Sequence, residues 1–150
     1  MQFFNGNYTN SLDEKGRVAV PAKLRRLIED NEVTVTRGLD PCLYVYPTQA
    51  WGEQLEKLMK LPQSNPQARR LRTFIVGSAD TVELDKQGRI NLNAGFIDFL
   101  SLDREASETK VVVVGDINRI LIWNPTVYQD YMKSTENDIP LLSEEFAFEF

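Results

Sequence analysis

The chain has 150 residues, of which 42% are hydrophobic and 26% charged, values that suit one soluble domain or two very small ones. It contains no histidine and a single cysteine, which exclude an intrachain disulfide and argue against a zinc site or histidine-based catalysis. No apolar run approaches the roughly 18 residues of a membrane span, and the start "MQFFNGNYTN" has no secretion-signal pattern. We therefore expect a cytoplasmic protein.

The net charge of −5 is unevenly distributed. Residues 1–100 hold 13 basic and 12 acidic residues, whereas residues 101–150 hold 4 and 10. Between Lys15 and Arg26 there are five basic residues and no acidic one. A local basic surface is compatible with a polyanionic partner, although the whole chain is acidic.

The N-terminal part predicts two strand pairs with a short helix between them. "YTNSL" and "RVAVP" alternate polar and apolar residues, the period of a strand. "DEKG" between them is typical of a tight turn, in which Asp13 accepts backbone hydrogen bonds and Gly16 adopts positive φ. Pro21 begins a short helix, and "VTVT" and "LYVY" predict two further strands. The apolar face of that helix consists of Leu24, Leu27 and Ile28.

Two longer helices are predicted next. The first would be capped by Thr48 or Gln49, and the second begins with Asn65 as N-cap and Pro66 at the first helical position. An apolar stripe on the first helix comprises Trp51, Leu55, Leu58 and Met59. The second carries three arginines that fit a solvated face or an ion pair at a subunit interface better than a DNA contact. These are Arg69, Arg70 and Arg72.

The organisation then repeats. "LDEKGRV" at residues 12–18 returns as "LDKQGRI" at residues 84–90. "VVVV" and "ILIW" follow it as "VTVT" and "LYVY" follow the first copy, with Gly115 aligned to Gly38, and a short helix "PTVYQDYMK" closes the unit. Copies of about 45 residues are too small to bury a core alone, so we predict that they intertwine into one pseudo-twofold domain.

The repeated heptad allows three interpretations. Asp13 and Asp85 could only stabilise turns, with Arg17 and Arg89 as ordinary strand residues. The two aspartates could form a carboxylate pair of the aspartic-protease type, although their charged neighbours do not suit that chemistry. In the third interpretation the turns face DNA. Lys15 and Arg17 then reach phosphates or base edges, and Asp13 holds the turn and orients the arginine.

Three segments together resemble the MraZ family: "GNYTNSLDEKGRVAVPAKLR", "NPQARRLRTFIVGSADTVELDKQGRI" and "VVVVGDINRILIWNPTVY". The resemblance runs from about Phe4 to Tyr131. It implies a mainly β fold with short helices (α+β), a duplicated swapped-hairpin β-barrel of the AbrB type with pseudo-twofold symmetry. We divide the chain into a first SpoVT-AbrB-type unit with linker helices at 4–75, a second unit at 76–134, and an acidic tail at 135–150.

The resemblance also implies a function. The family consists of bacterial transcription regulators that form rings of many subunits, bind short G-containing direct repeats in promoters of cell-division and cell-wall genes, and act mainly as repressors. On that basis we expect a nucleoid-associated protein that is not an enzyme. Its partners would be double-stranded promoter DNA and further copies of itself, with no membrane, small-molecule substrate, cofactor or metal ion.

Arg17 is the natural candidate for reading a base, because it falls on the arginine of the first heptad. Gln87 stands where the first copy has Lys15, and the second helix lacks the basic residues of the first, so we expect the first unit to contact DNA more strongly. The candidate DNA-binding residues are Lys15, Arg17, Lys23, Arg25, Arg26, Lys86 and Arg89. The turn-structuring residues are Asp13, Gly16, Asp85 and Gly88.

The acidic end "ENDIPLLSEEFAFEF" leaves an alternative function open. Small AbrB-type domains often pair with toxins through acidic, aromatic tails, so the chain could be an antitoxin-like protein-interaction module. From about Ser134 we expect a mobile or loosely docked segment. An aromatic strand docked on a neighbouring subunit is the second possibility.

Overall fold

The computed structural model describes residues 1–149, which form one antiparallel sheet with helices around it. The strands are β1 (Asn7–Leu12), β2 (Arg17–Ala19), β3 (Glu32–Arg37), β4 (Cys42–Pro47), β5 (Asp80–Glu83), β6 (Arg89–Asn91), β7 (Thr109–Asp116) and β8 (Arg119–Trp123). The helices are α1 (Ala22–Arg25), α2 (Thr48–Met59), α3 (Pro66–Gly77), α4 (Ala94–Phe99) and α5 (Pro125–Glu145). No helix in this described part is long and apolar enough to cross a membrane.

The two copies exchange strands. The order in the sheet is β5-β3-β4-β8-β7-β1-β2-β6, and each neighbouring pair is antiparallel. β1 of the first copy therefore pairs with β7 of the second, and β3 pairs with β5. The outer strands β5 and β6 are consecutive in the chain, and Asp85 N donates to Arg89 O across their turn at 3.1 Å. The sheet is thus a nearly closed barrel, which confirms the predicted fold.

The pseudo-twofold axis passes between β2 and β6. Arg17 is paired with Asn91, and Ala19 is paired with Arg89. Because the heptads are 72 residues apart, exchanging the two copies turns each of these pairs into the other. β4 and β8 pair in the same reciprocal way on the other side of the barrel.

The core of the barrel is shared by the two copies. Val18 and Ile90, which face each other on the paired strands, are buried together with Leu24 from α1 and Ile97 from α4. The two copies therefore contribute to one shared core, and each copy leaves this apolar surface exposed unless the other covers it. A second, aromatic cluster centred on Trp123 is packed against residues of α2 and the start of α5.

Some helix ends follow the sequence signals and others do not. The predicted cap of α2 by Thr48 or Gln49 is wrong, because the N-cap residue is Pro47 and no side chain caps the helix. Asn65 caps α3 as predicted, since its Oδ1 accepts from Gln67 N at 2.8 Å and from Ala68 N at 3.3 Å. The predicted end of α5 near Lys133 is wrong, because the helix continues to Glu145 and includes Pro140. A proline removes one backbone hydrogen bond, yet the surrounding leucine and glutamate residues favour a helix.

Gly115 provides a test of the strand exchange. A Cβ at this position would lie 2.2 Å from Asn5 N, and Gly115 N donates to Gly6 O at 2.8 Å. We expect Gly115→Ala to lower the free energy of unfolding by about 1–3 kcal/mol, measured by urea denaturation, because the segment before β1 must move. Gly52→Ala is the control. Its Cβ would meet no atom within 4 Å on α2, so it should stabilise by about 0.5–1 kcal/mol. Equal effects of the two substitutions would contradict this explanation.

Candidate nucleic-acid interface

The first turn is organised by one carboxylate. Asp13 Oδ1 accepts hydrogen bonds from Lys15 N at 3.0 Å and Arg17 N at 2.8 Å, and its Oδ2 accepts from Arg17 Nε at 2.7 Å. Gly16 has φ of +80°, which favours glycine, and its N donates to Asp13 O at 3.0 Å. Asp13 therefore fixes both the turn backbone and the direction of the Arg17 side chain.

The second turn repeats this geometry. Asp85 Oδ1 accepts from Gln87 N and Arg89 N, both at 2.9 Å, and its Oδ2 accepts from Arg89 Nε at 2.7 Å. Gly88 has φ of +74°. The two heptads thus fold into the same carboxylate-centred turn, each with an arginine held at the start of the returning strand.

The two turns lie side by side. Arg89 Nη1 is 3.6 Å from Asp13 Oδ2, so the arginine of one turn approaches the carboxylate of the other. The side chains of Arg17 and Arg89 are 30% and 27% exposed. We call residues 13–17 and 85–89 together the turn surface.

The helices beside the turns are exchanged between the copies. A Cβ on Gly88 would lie 2.6 Å from Arg25 Cδ, so α1 of the first copy borders the second turn. A Cβ on Gly16 would lie 3.2 Å from Ile97 Cδ1, so α4 of the second copy borders the first turn. Arg25 of the basic helix therefore lies beside the second turn and not beside the turn of its own copy. That the first unit contacts DNA more strongly stays a prediction.

The seven candidate cations fall into two groups. The turn surface and its border hold five of them: Lys15, Arg17, Arg25, Lys86 and Arg89. Lys23 and Arg26 are exposed and line a different groove, which is formed with N-terminal residues that include Phe3 and Tyr8. Lys23 and Arg26 are three positions apart, so they lie on one side of this helical turn, and Arg25 lies on another.

Arg104 is a cation at this surface that the sequence did not indicate. It lies in the loop between α4 and β7, and its Nη2 donates to Glu14 O in the first turn at 2.6 Å. Asp103 orders this loop, because Glu105 N donates to its Oδ1 at 2.9 Å and Thr109 Oγ1 donates to its backbone oxygen at 2.6 Å. The second copy is five residues longer in this loop, because Gly115 follows Gly38 by 77 positions whereas the heptads are 72 positions apart. The spacing did not predict the contact itself, which joins residues 90 positions apart.

The pKa values of the two turn aspartates, Asp13 and Asp85, are lowered, which favours their ionised form. Burial opposes the charged form of Asp13, but hydrogen bonds from Arg17 and from the Lys15 N–H outweigh it and lower the pKa. The backbone N–H of Arg89 is the main cause of the lowered pKa of Asp85. An aspartic-protease pair shares one proton, which needs one raised pKa, so this arrangement is unlike that chemistry. Within residues 1–149 no cluster of His, Cys, Asp or Glu side chains could hold a metal ion.

A comparison of the amino-acid sequence with protein-family models assigns the chain to a family. The family model described as "MraZ protein, putative antitoxin-like" matches residues 3–74 and, a second time, residues 75–145. The chain belongs to the MraZ family. Each matched segment contains one turn of the turn surface, so the family model divides the chain between its two heptads.

Relatives in the MraZ family cover nearly the whole chain. It is 40% identical over 144 residues to the transcriptional regulator MraZ of Natranaerobius thermophilus, covering 96% of each chain. It is 38% identical over 144 residues to that of Moorella thermoacetica, again covering 96% of each. It is 40% identical over 134 residues to that of Desulfitobacterium hafniense, covering 89% of this chain and 90% of the relative.

The ionised turns make the stability of the fold depend on pH. Asp13 and Asp85 have lower pKa values in the folded chain than their ordinary value of 3.8, so they stabilise the fold above that value. This contribution is lost as the pH falls through the folded pKa values. We expect the melting temperature to fall less between pH 5 and pH 3 in the double variant Asp13→Asn, Asp85→Asn than in the wild type. Asp30 and Glu108, whose pKa values are also lowered, contribute equally to both proteins. Identical pH profiles would contradict the assignment.

Proposed function

We propose that this chain is a transcriptional regulator that binds double-stranded promoter DNA through the turn surface. The observation that carries the proposal is the pair of adjacent turns, in which Asp13 and Asp85 each hold an arginine by its Nε. The names of the relatives from the three organisms support a role in transcription. The protein would act by binding and not by catalysis, in the cytoplasm and at the nucleoid.

In this mechanism Arg17 reads a base and the surrounding cations bind phosphates. Its Nε is bound to Asp13, and within residues 1–149 its terminal nitrogens donate no hydrogen bond, so they can contact a ligand. An arginine held in this way loses little further rotamer entropy and can bind guanine O6 and N7 with two hydrogen bonds. Arg89 has the same support in the second turn. The phosphate contacts would come from Lys15, Lys86, Arg25 and Arg104.

A single subunit with these contacts would bind DNA with modest affinity. Binding of several subunits to repeated DNA sites would raise that affinity. Three or four phosphate contacts give a log–log salt slope of roughly −3 to −4. If the subunits form a ring, neighbours engage successive direct repeats and each later contact becomes effectively intramolecular. We propose this arrangement for G-containing repeats in a promoter of cell-division and cell-wall genes, where bound protein would repress transcription. The units at 4–75 and 76–134 would each supply one turn.

A second candidate function is antitoxin-like capture of a protein partner by residues 135–150. The observation that favours it is the exposure of the acidic end of α5. Deletion of residues 135–150 would distinguish the two functions. The deletion would abolish capture of such a partner and leave binding of a single DNA repeat unchanged.

Arg17→Ala tests base reading. By fluorescence anisotropy at fixed salt, the wild type should bind a fragment with tandem G-containing repeats more tightly than a scrambled fragment. Loss of one two-bonded guanine contact should weaken repeat binding by about 5- to 150-fold, while circular dichroism shows that the variant remains folded. Lys133→Ala, which removes an exposed positive charge on α5, is the control and should retain the preference. Unchanged repeat affinity in Arg17→Ala would rule out the role assigned to that residue.

Arg104→Ala tests the phosphate role of the loop between α4 and β7. Because a phosphate contact carries no sequence information, we expect a similar loss of affinity for the repeat and scrambled fragments. The log–log salt slope should become shallower by about 1. A loss confined to the repeat fragment would instead assign Arg104 to base reading, and no loss would remove it from the interface.

A further inference from the structure

Helix α5 is packed against the barrel only along its first half. The ring of Trp123 lies 5.5 Å from that of Tyr128 and 4.7 Å from that of Tyr131, measured between centroids. Beyond these contacts the helix continues to Glu145, and nearly all its residues from Glu136 onward are exposed. We call residues 134–149 the distal segment.

The apolar stripe that packs against the barrel continues into the distal segment. At 3.6 residues per turn, Ile139 and Leu142 lie on the same side of the helix as Tyr128 and Tyr131. Their exposed fractions are 44% and 38%, so the stripe extends past the surface that its own barrel covers. Leu141 is 67% exposed and lies about 100° around the helix from Leu142, outside this stripe.

The distal segment carries the whole excess of negative charge. Its five carboxylates are accompanied by no lysine or arginine, whereas the rest of the chain has 17 acidic and 17 basic residues. The carboxylates are Glu136, Asp138, Glu144, Glu145 and Glu149. An amphipathic segment of this charge suits an apolar groove with a basic rim.

The chain itself has such a groove, between α2 and α3. Its lining consists of Leu55, Leu58, Met59, Gln63, Arg72, Thr73, Val76 and Gly77. Met59 and Val76 are 66% and 41% exposed. Arg72 lines the groove, and Arg69 Nη1 donates to the backbone oxygen of the lining residue Gln63 at 3.1 Å. Within residues 1–149 neither arginine lies within 4.0 Å of a carboxylate.

We propose that the distal segment of one copy docks in the α2–α3 groove of a second copy. Leu142 and Val76 are exposed at the same time in one chain, so the segment does not cover its own groove. Segment and groove complement each other in charge and in apolar character, and each copy carries one of each. This match favours a second copy over a foreign basic protein as the occupant.

The proposal deepens the homo-oligomer part of the proposed function and rests on it. Two different surfaces meet in this contact, so it is heterologous, and repeating it closes a ring or extends a filament. The side chains of the turn surface take no part in the contact. Assembly and base reading therefore depend on separate residues and can be tested separately.

The test measures the molar mass of the full chain by light scattering after size exclusion. We expect the wild type to be an oligomer, and Leu142→Asp and Val76→Asp each to reduce the mass to that of one chain. Leu141→Asp is the matched control, with the same substitution at the neighbouring position outside the apolar stripe, and should retain the oligomer. All three positions are exposed, and circular dichroism checks the fold of each variant.

Mixing the two variants identifies the contact. Leu142→Asp retains an intact groove and Val76→Asp an intact distal segment, so an equimolar mixture should form dimers and nothing larger. Two variants that stay monomeric when mixed would overturn docking between copies. An oligomer that survives both substitutions would overturn the docking and leave the homo-oligomer proposal standing. A monomeric wild type would overturn both, while binding of a single DNA repeat, followed by anisotropy, would still test the turn surface independently.

Discussion

The exchange of strands between the two copies is the constraint on which the rest of this structure depends. β1 pairs with β7 and β3 with β5, so the backbone hydrogen bonds of each copy are completed by the other. The buried residues Val18 and Ile90 meet on the axis between the copies. A unit of about 45 residues cannot bury such a core alone, which is why the duplication produces one intertwined barrel and not two domains in series.

The candidate interface is a consequence of that exchange. Two identical turns become neighbours because β2 and β6 pair across the axis, and each turn is bordered by a helix from the other copy. The carboxylates of Asp13 and Asp85 each have two roles. One oxygen accepts hydrogen bonds from the turn backbone, and the other accepts a hydrogen bond from the arginine Nε. Side chains fixed in this way are suited to specific recognition, because less conformational entropy is lost on binding.

The acidic and basic residues of the chain are unevenly distributed between the distal segment and the rest of the chain. The acidic excess resides in the distal segment, so the remainder of the chain is neutral overall and keeps a basic turn surface. A net charge of −5 therefore does not describe the field that a polyanion would meet at the turns. In the proposed assembly, the same separation would let the acidic distal segment of one copy meet the α2–α3 groove of another.

The sequence by itself determined the duplication, the strands, the N-cap of α3 and the two turns, because each depends on residues close together in the chain. Asp13, Gly16 and Arg17 lie within five positions, and their hydrogen bonds can be inferred from spacing alone. Only the tertiary structure placed Arg25 at the second turn and Arg104 at the first, because strand exchange brings together residues that are remote in sequence. The local sequence pattern also did not predict that α5 extends to Glu145. The acidic composition from about Ser134 indicated a loose tail, whereas the helix that begins at Pro125 and is packed against Trp123 continues through these residues, including Pro140.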